Sequence, residues 1–256
     1  MANKNVHILS KTKRKYKLVE TVNGISMESH PSKRESIFRV SEIEKTHYNY
    51  LTDLMKSILE VRRSYYYHFS DVHYERAFAY ELYHQWSKHI EEYKKQNPNL
   101  CINGEVKKFL LNKKKMPDMV FHEDQNDCQE IVVEIKRLYN DAKKSEFFDD
   151  LRTLKDLTTG TIGIGDKSEP FLYGFSPYHL AVFIVTCCRL NNLVDFFSHS
   201  ITTLQEICKD LKNKGKSGHL YCICSDGDGK LDFVTLEELL QEVKAYQKQK
   251  RTMHNN

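Results

Sequence analysis

The chain has 256 residues, with 39 Lys and Arg against 35 Asp and Glu, a formal net charge of +4 and 40% hydrophobic content. Apolar side chains this plentiful, with so little net charge, exclude a disordered polyelectrolyte and point to one large domain or two small ones. No apolar run reaches the ~18–20 residues that cross a bilayer, so no membrane partner is expected.

Residues 16–28 alternate loosely about Asn23-Gly24, a two-residue turn signal, and predict a small hairpin. Residues 37–44 predict a further strand. Leu51, Leu54, Met55, Ile58 and Tyr65 recur at helical spacing, which predicts a helix over about 47–66. A second helix opens near the capping candidates Ser70 and Asp71, carries the stripe Tyr74, Phe78, Leu82, Trp86 and Ile90, and ends at Asn97-Pro98. Three strand-like runs follow at 101–111, 116–122 and 129–138, with a polar turn at 123–128 between the last two.

Ser145 is placed to cap a helix carrying Phe148, Leu151 and Leu154, and 158–170 is a Gly/Thr loop. The longest apolar run lies within 178–188 and reads as a strand buried on both faces. One helix with Val194, Ile201, Leu204 and Leu211 comes next, then a hairpin over 219–224 and 231–234, then a helix over about 236–248. Helix, three strands, helix, strand, with additions at both ends, predicts a single α/β domain over 1–256. Its N-terminal extension is 1–69, its core 70–190, and its C-terminal helix, hairpin and helix 191–256.

The start of the chain is polar and lacks an apolar signal core, so the expected location is cytoplasmic. The seven cysteines include no C-x-x-C pair and read as buried reduced thiols rather than zinc ligands. Basic clusters at 11–17, 113–115 and 143–144 attract phosphate, or are simply solvated surface.

The chemistry concentrates between Glu75 and Lys136. Asp118 lies in the apolar run Met116-Pro117-Asp118-Met119-Val120-Phe121, and Glu134 and Lys136 lie in Ile131-Val132-Val133-Glu134-Ile135-Lys136. Positions two apart share a strand face, so Glu134 and Lys136 project together while Ile131, Val133 and Ile135 fill the other face. The short turn lets these strands pair antiparallel and bring Asp118 beside Glu134. Two close carboxylates repel unless a cation joins them. Mg²⁺ resolves the conflict, because it takes one or two carboxylates, keeps waters and binds substrate phosphates. The bland alternative is a salt bridge from Lys136 to either acid. At ~100° per residue, Glu75 falls within the apolar stripe of its helix, which suits an acid serving a metal or its water, or one complementing the helix dipole.

These residues together resemble the PD-(D/E)xK nuclease superfamily, the restriction-endonuclease-like fold. The matching residues are Glu75-Arg76-Ala77, Glu105 in Asn103-Gly104-Glu105-Val106, Pro117-Asp118 and Glu134-Ile135-Lys136. The resemblance implies an α-β-β-β-α-β core with a mixed central sheet flanked by helices, over roughly 70–190. It further implies that Asp118 and Glu134 ligate the metal, that Glu75 contacts the metal or its water, and that Lys136 assists the attacking water. Glu105 is similar to an acid that some members carry on the first strand. Arg137 follows the motif lysine where some relatives place a glutamine, and no role transfers to it. The implied function is a nuclease dependent on Mg²⁺, with Mn²⁺ as a substitute, acting on DNA, with a homodimer suited to double-strand cleavage. A non-catalytic nucleic-acid-binding or protein-interaction module on the same scaffold is the alternative, and RNA or another phosphodiester is the other substrate choice.

Three further strings are set aside. Gly160 to Ser168 approximates a phosphate-binding loop but follows a helix, where such a loop follows a strand. Asp226 to Asp232 approximates a calcium loop but puts Cys224 at the first ligand position, so it reads as a tight hairpin turn. The aromatic run 65–69 reads as core packing in preference to base stacking.

Overall fold

The computed structural model describes residues 8–9, 15–21, 24–29, 42–66, 74–104, 117–124, 129–139, 142–164, 167–170 and 176–254. Strands β1 (Ile8–Leu9), β2 (Lys15–Thr21) and β3 (Gly24–Ser29) pair antiparallel; β2 and β3 form the expected hairpin, but Gly24 is paired with Thr21 as the first residue of β3 and is not part of a two-residue Asn23-Gly24 turn. Helix α1 (Glu42–Glu60), a 3-10 turn (Arg63–Tyr65) and helix α2 (Tyr74–Gln96) follow. Then come β4 (Leu100–Gly104), β5 (Met119–Glu123), β6 (Gln129–Arg137) and helix α3 (Lys144–Thr159). The short pair β7 (Thr161–Ile164) and β8 (Lys167–Pro170) precedes β9 (Leu180–Thr186) and helices α4 (Leu190–Ser198) and α5 (Ile201–Asn213). Strands β10 (Leu220–Ser225) and β11 (Leu231–Thr235) and helix α6 (Leu236–His254) complete the described chain.

A mixed six-stranded sheet with order β11-β10-β9-β6-β5-β4 runs through the centre. Strand β9 lies parallel to both β6 and β10, while the β4–β5, β5–β6 and β10–β11 pairs are antiparallel. Parallel neighbours need a crossover, and here α3 links β6 to β9 and the α4–α5 pair links β9 to β10. Side-chain alternation then sorts the core. Ile131, Val133 and Ile135 pack with the α1 and α2 stripes, including Leu54, Leu82 and Trp86. Val132, Phe183, Val185 and Cys222 pack on the other face with Phe147, Leu151, Phe197 and Leu211 from the helices there. Every residue of β9 is buried, because helices cover both sides of it.

Several boundaries differ from the periodic reading. Glu42–Glu44 open α1 instead of ending a strand, because a polar first turn carries no apolar period; 37–41 lie outside the described residues. The helix expected over 47–66 ends at Glu60, and Tyr65 sits in the 3-10 turn. Ser145 does not cap α3: the helix begins at Lys144, its N-cap is Lys143, and no side-chain capping bond forms. The expected loop after α3 is instead the β7–β8 antiparallel pair, and Gly160 ends the helix at φ 67°, a left-handed conformation natural to glycine.

The single helix expected around Val194 to Leu211 is two helices, broken at Ser200, where φ is −142° and ψ 40°. Phe197, Ile201 and Leu204 keep three- and four-residue spacing across the break, so the apolar period conceals it. Helix α6 continues past Lys248 to His254 through lysine, glutamine and arginine, which favour helix without adding apolar signal. Among the described residues no helix is long and apolar enough to cross a membrane.

Candidate active site

Strand β6 is longer than its neighbour β5, and the site grows from that mismatch. Pairing between them begins at Met119↔Val133, so residues 134–137 extend beyond the start of β5. Alternate backbone N–H groups along this overhang point toward the space β5 has left. Two carboxylates accept them. Ile135 N–H donates to Asp118 Oδ2 at 2.6 Å, and Arg137 N–H donates to Glu75 Oε1 at 3.2 Å. A sheet edge inside a fold leaves costly unpaired donors, and here acids from the β5 approach and from the first turn of α2 satisfy them.

Glu75 therefore projects past the end of its helix onto β6. The stripe argument set it on the core-facing side of its helix; the side chain reaches β6, and its position in the first turn leaves it 40% exposed. Asp118 immediately precedes β5, and extending the antiparallel register by one residue sets it opposite Glu134. Glu134 is buried and shares the α3-facing side of β6 with Val132 and Lys136, as the two-residue alternation requires.

Lys136 Nζ lies 3.3 Å from Asp150 Oδ2 and 3.7 Å from Glu75 Oε2. Its ammonium thus bridges α3 and α2. Burial opposes this charge, but Asp150, Glu75 and Asp118 outweigh it and hold the pKa above the ordinary lysine value. The Asp118 carboxyl is pushed up to about 6, chiefly by burial. Ile135 N–H and Lys136 pull it down, while the charges on Glu75 and Asp150 push it further up.

Asp150 escaped the sequence reading. Its signal lay in the helical period: it stands three residues after Phe147 and four before Leu154, both buried, so it flanks the core-facing stripe of α3. Glu105 lies outside the described residues, as do the side chains of the basic clusters at 11–17 and 113–115. Of the aromatic run, Tyr66 is buried, edge-on to Phe78 with ring centroids 5.0 Å apart; 67–69 are outside the described residues.

The calcium-loop string has a different explanation. Asp232 accepts Arg189 Nε and Nη2 at 2.7 and 2.8 Å, and Asp226 accepts Arg189 Nη1 at 3.1 Å. The acids thus serve an arginine. Cys188, Cys208, Cys222 and Cys224 are free and buried as expected, whereas the free Cys101 and Cys187 are partly exposed.

Among the described residues no three His, Cys, Asp or Glu side chains gather into a ready-made metal cage. What the site offers is a set of hard carboxylate oxygens around one lysine. A scan against protein-family models, a search of curated proteins and a search of solved structures each returned no match.

Proposed function

We propose that the chain is a metal-dependent nuclease hydrolysing phosphodiester bonds of DNA on a restriction-endonuclease-like scaffold. The observation that carries this reading is the gathering of Glu75, Asp118 and Lys136 at the overhanging end of β6, from three separate segments, with Glu134 on the same strand opposite Asp118 by register. An all-carboxylate donor set suits a hard divalent ion, and Mg²⁺ needs only one or two protein carboxylates. The elevated pKa of Asp118 fits the same reading, because carboxylates crowded under burial gain from a cation.

Asp118, Glu134 and Glu75 would hold Mg²⁺, with Mn²⁺ as a substitute. Such an ion supplies charge neutralisation at the phosphate and lowers the pKa of the attacking water. Lys136, its ammonium oriented by acids on two helices, donates hydrogen bonds that align the water in line with the leaving oxygen and offset charge growing on the phosphate. A homodimer would present one such site to each strand of a duplex.

One observation favours a second reading. Lys136 already stands as a cation between Glu75 and Asp150. On that reading the scaffold binds nucleic acid or a protein partner without cutting.

The deciding experiment is cleavage of supercoiled plasmid and single-stranded DNA with Mg²⁺ or Mn²⁺, against EDTA. Asp118→Ala, Glu134→Ala and Lys136→Ala are each expected to stay folded and to lose about 10²-fold or more of the rate. Activity surviving all three replacements would remove the site assignment. No cutting, together with no divalent-metal heat in isothermal titration, selects the binding module.

A further inference from the structure

The two acids that flank Lys136 are not equivalent. Asp150 Oδ2 is the nearer, at 3.3 Å, and its side chain is 16% exposed; Glu75 Oε2 is at 3.7 Å and its side chain is 40% exposed. Glu75 also spends its other oxygen on Arg137 N–H, and on the nuclease reading it turns toward the metal or its water. Asp150 has no place in that set. It sits on α3, the helix packed against β6 and β9, with buried Phe147, Leu151 and Leu154 around it fixing the helix on the sheet.

We propose that Asp150 is the fixed anchor of Lys136, a positioning residue that holds the ammonium in place while Glu75 exchanges partners. A lysine is a compact charge on a flexible four-carbon stem, and alone it would sample many rotamers. A carboxylate on a rigid neighbouring element confines it to one position, which is what alignment of an attacking water requires. Lys136 is tied on two sides, and losing the exposed tie still leaves the buried one. The inference rests on the nuclease reading for its catalytic meaning; the anchoring itself does not.

The test has two arms. In the first, the lysines of the full chain are reductively methylated with formaldehyde without added metal, and the rate at Lys136 is read by mass spectrometry. Asp150→Asn is expected to raise that rate several-fold and Glu75→Gln to raise it less, with other lysines unchanged. An unchanged Lys136 rate in Asp150→Asn, or a larger effect of Glu75→Gln, overturns the anchor whether or not the protein cuts DNA.

In the second arm, Asp150→Asn is expected to lower kcat about tenfold, equivalent to roughly 1.4 kcal/mol, with KM little changed. Asp150→Glu is expected to restore part of the loss. Asp150→Asn added to Lys136→Ala is expected to cost nothing more, because a positioning residue acts only through its partner. Additive losses in that pair would overturn the proposal, as they would mark Asp150 as acting on its own. Should Asp150→Asn fold poorly, Asp150→Ser takes its place in both arms: a Lys136 methylation faster than in Glu75→Gln supports the anchor and one no faster overturns it. If no variant cuts DNA with any metal, the nuclease reading falls and the methylation arm still decides the anchor.

Discussion

Asp118 carries the sharpest pH signature at the level of single residues. Its carboxyl titrates at about 6 in the folded chain against 3.8 ordinarily, so the folded protein binds the proton more tightly than the unfolded one. A raised folded pKa contributes stability that is full below about pH 4 and is lost as pH rises through about 6. At neutral pH the metal-free protein therefore carries a charged, buried carboxylate at a cost of roughly 3 kcal/mol or less, at 1.36 kcal/mol per pH unit. Asp118→Asn keeps an oxygen for Ile135 N–H and removes the charge. It is expected to raise metal-free stability at pH 7 and to leave it nearly unchanged at pH 4, as urea melts at the two pH values would show. A variant no more stable than the parent at pH 7 would count against a strained carboxylate here.

The junction of α4 with the β10–β11 hairpin shows how an element end can rest on one ion pair. Asp232 is 3% exposed, alternates into the sheet on β11, and accepts both a two-pronged contact from Arg189 and the Leu190 backbone N–H at 2.8 Å. Hydrogen bonds to Asp232 and then Asp226 hold the Arg189 guanidinium well above its ordinary pKa. Replacing Arg189 by Met leaves a buried charge with its partner gone, at a cost of about 3–5 kcal/mol. The replacement is expected to lower the melting temperature by many degrees, while the doubly neutral Arg189→Met, Asp232→Leu recovers much of it. Equal stability of the single variant and the parent would show the pair to be dispensable. Close by, Gly227 adopts φ +78°, and a Cβ there would lie 2.9 Å from the Tyr66 ring, so the turn needs glycine for conformation and for space.

For the whole molecule, the nuclease reading predicts linkage between metal binding and folding. An ion bound only by the folded chain adds about 2.7 kcal/mol at a hundred times its Kd. For a chain of this size that corresponds to a rise of roughly 5–10 °C in melting temperature. Wild type is expected to show such a rise with Mg²⁺ or Mn²⁺ at pH 7 relative to EDTA, and Asp118→Asn to show little of it. A wild-type melt indifferent to both metals would favour the non-catalytic scaffold.

Much of the architecture was legible along the chain because periodicity is local. The two-residue alternation of 129–137 places Glu134 and Lys136 on one face whatever lies nearby, and the stripe Phe78, Leu82, Trp86 and Ile90 marks the buried side of α2 from sequence alone. Local signal misled where it ran on or fell silent. The three- and four-residue spacing passed unbroken over Ser200, and the Gly/Thr stretch after α3 lacked the apolar alternation that would mark a strand pair. The tertiary structure alone decided which charges meet. Glu75 accepts from Arg137 across 62 positions, Asp118 accepts from Ile135 across 17, and Asp150 reaches Lys136 from a separate helix. Those meetings depend on β6 outrunning β5 and on α3 crossing one face of the sheet, and strand length mismatch and crossover placement are properties of the assembled layers that no window of sequence contains.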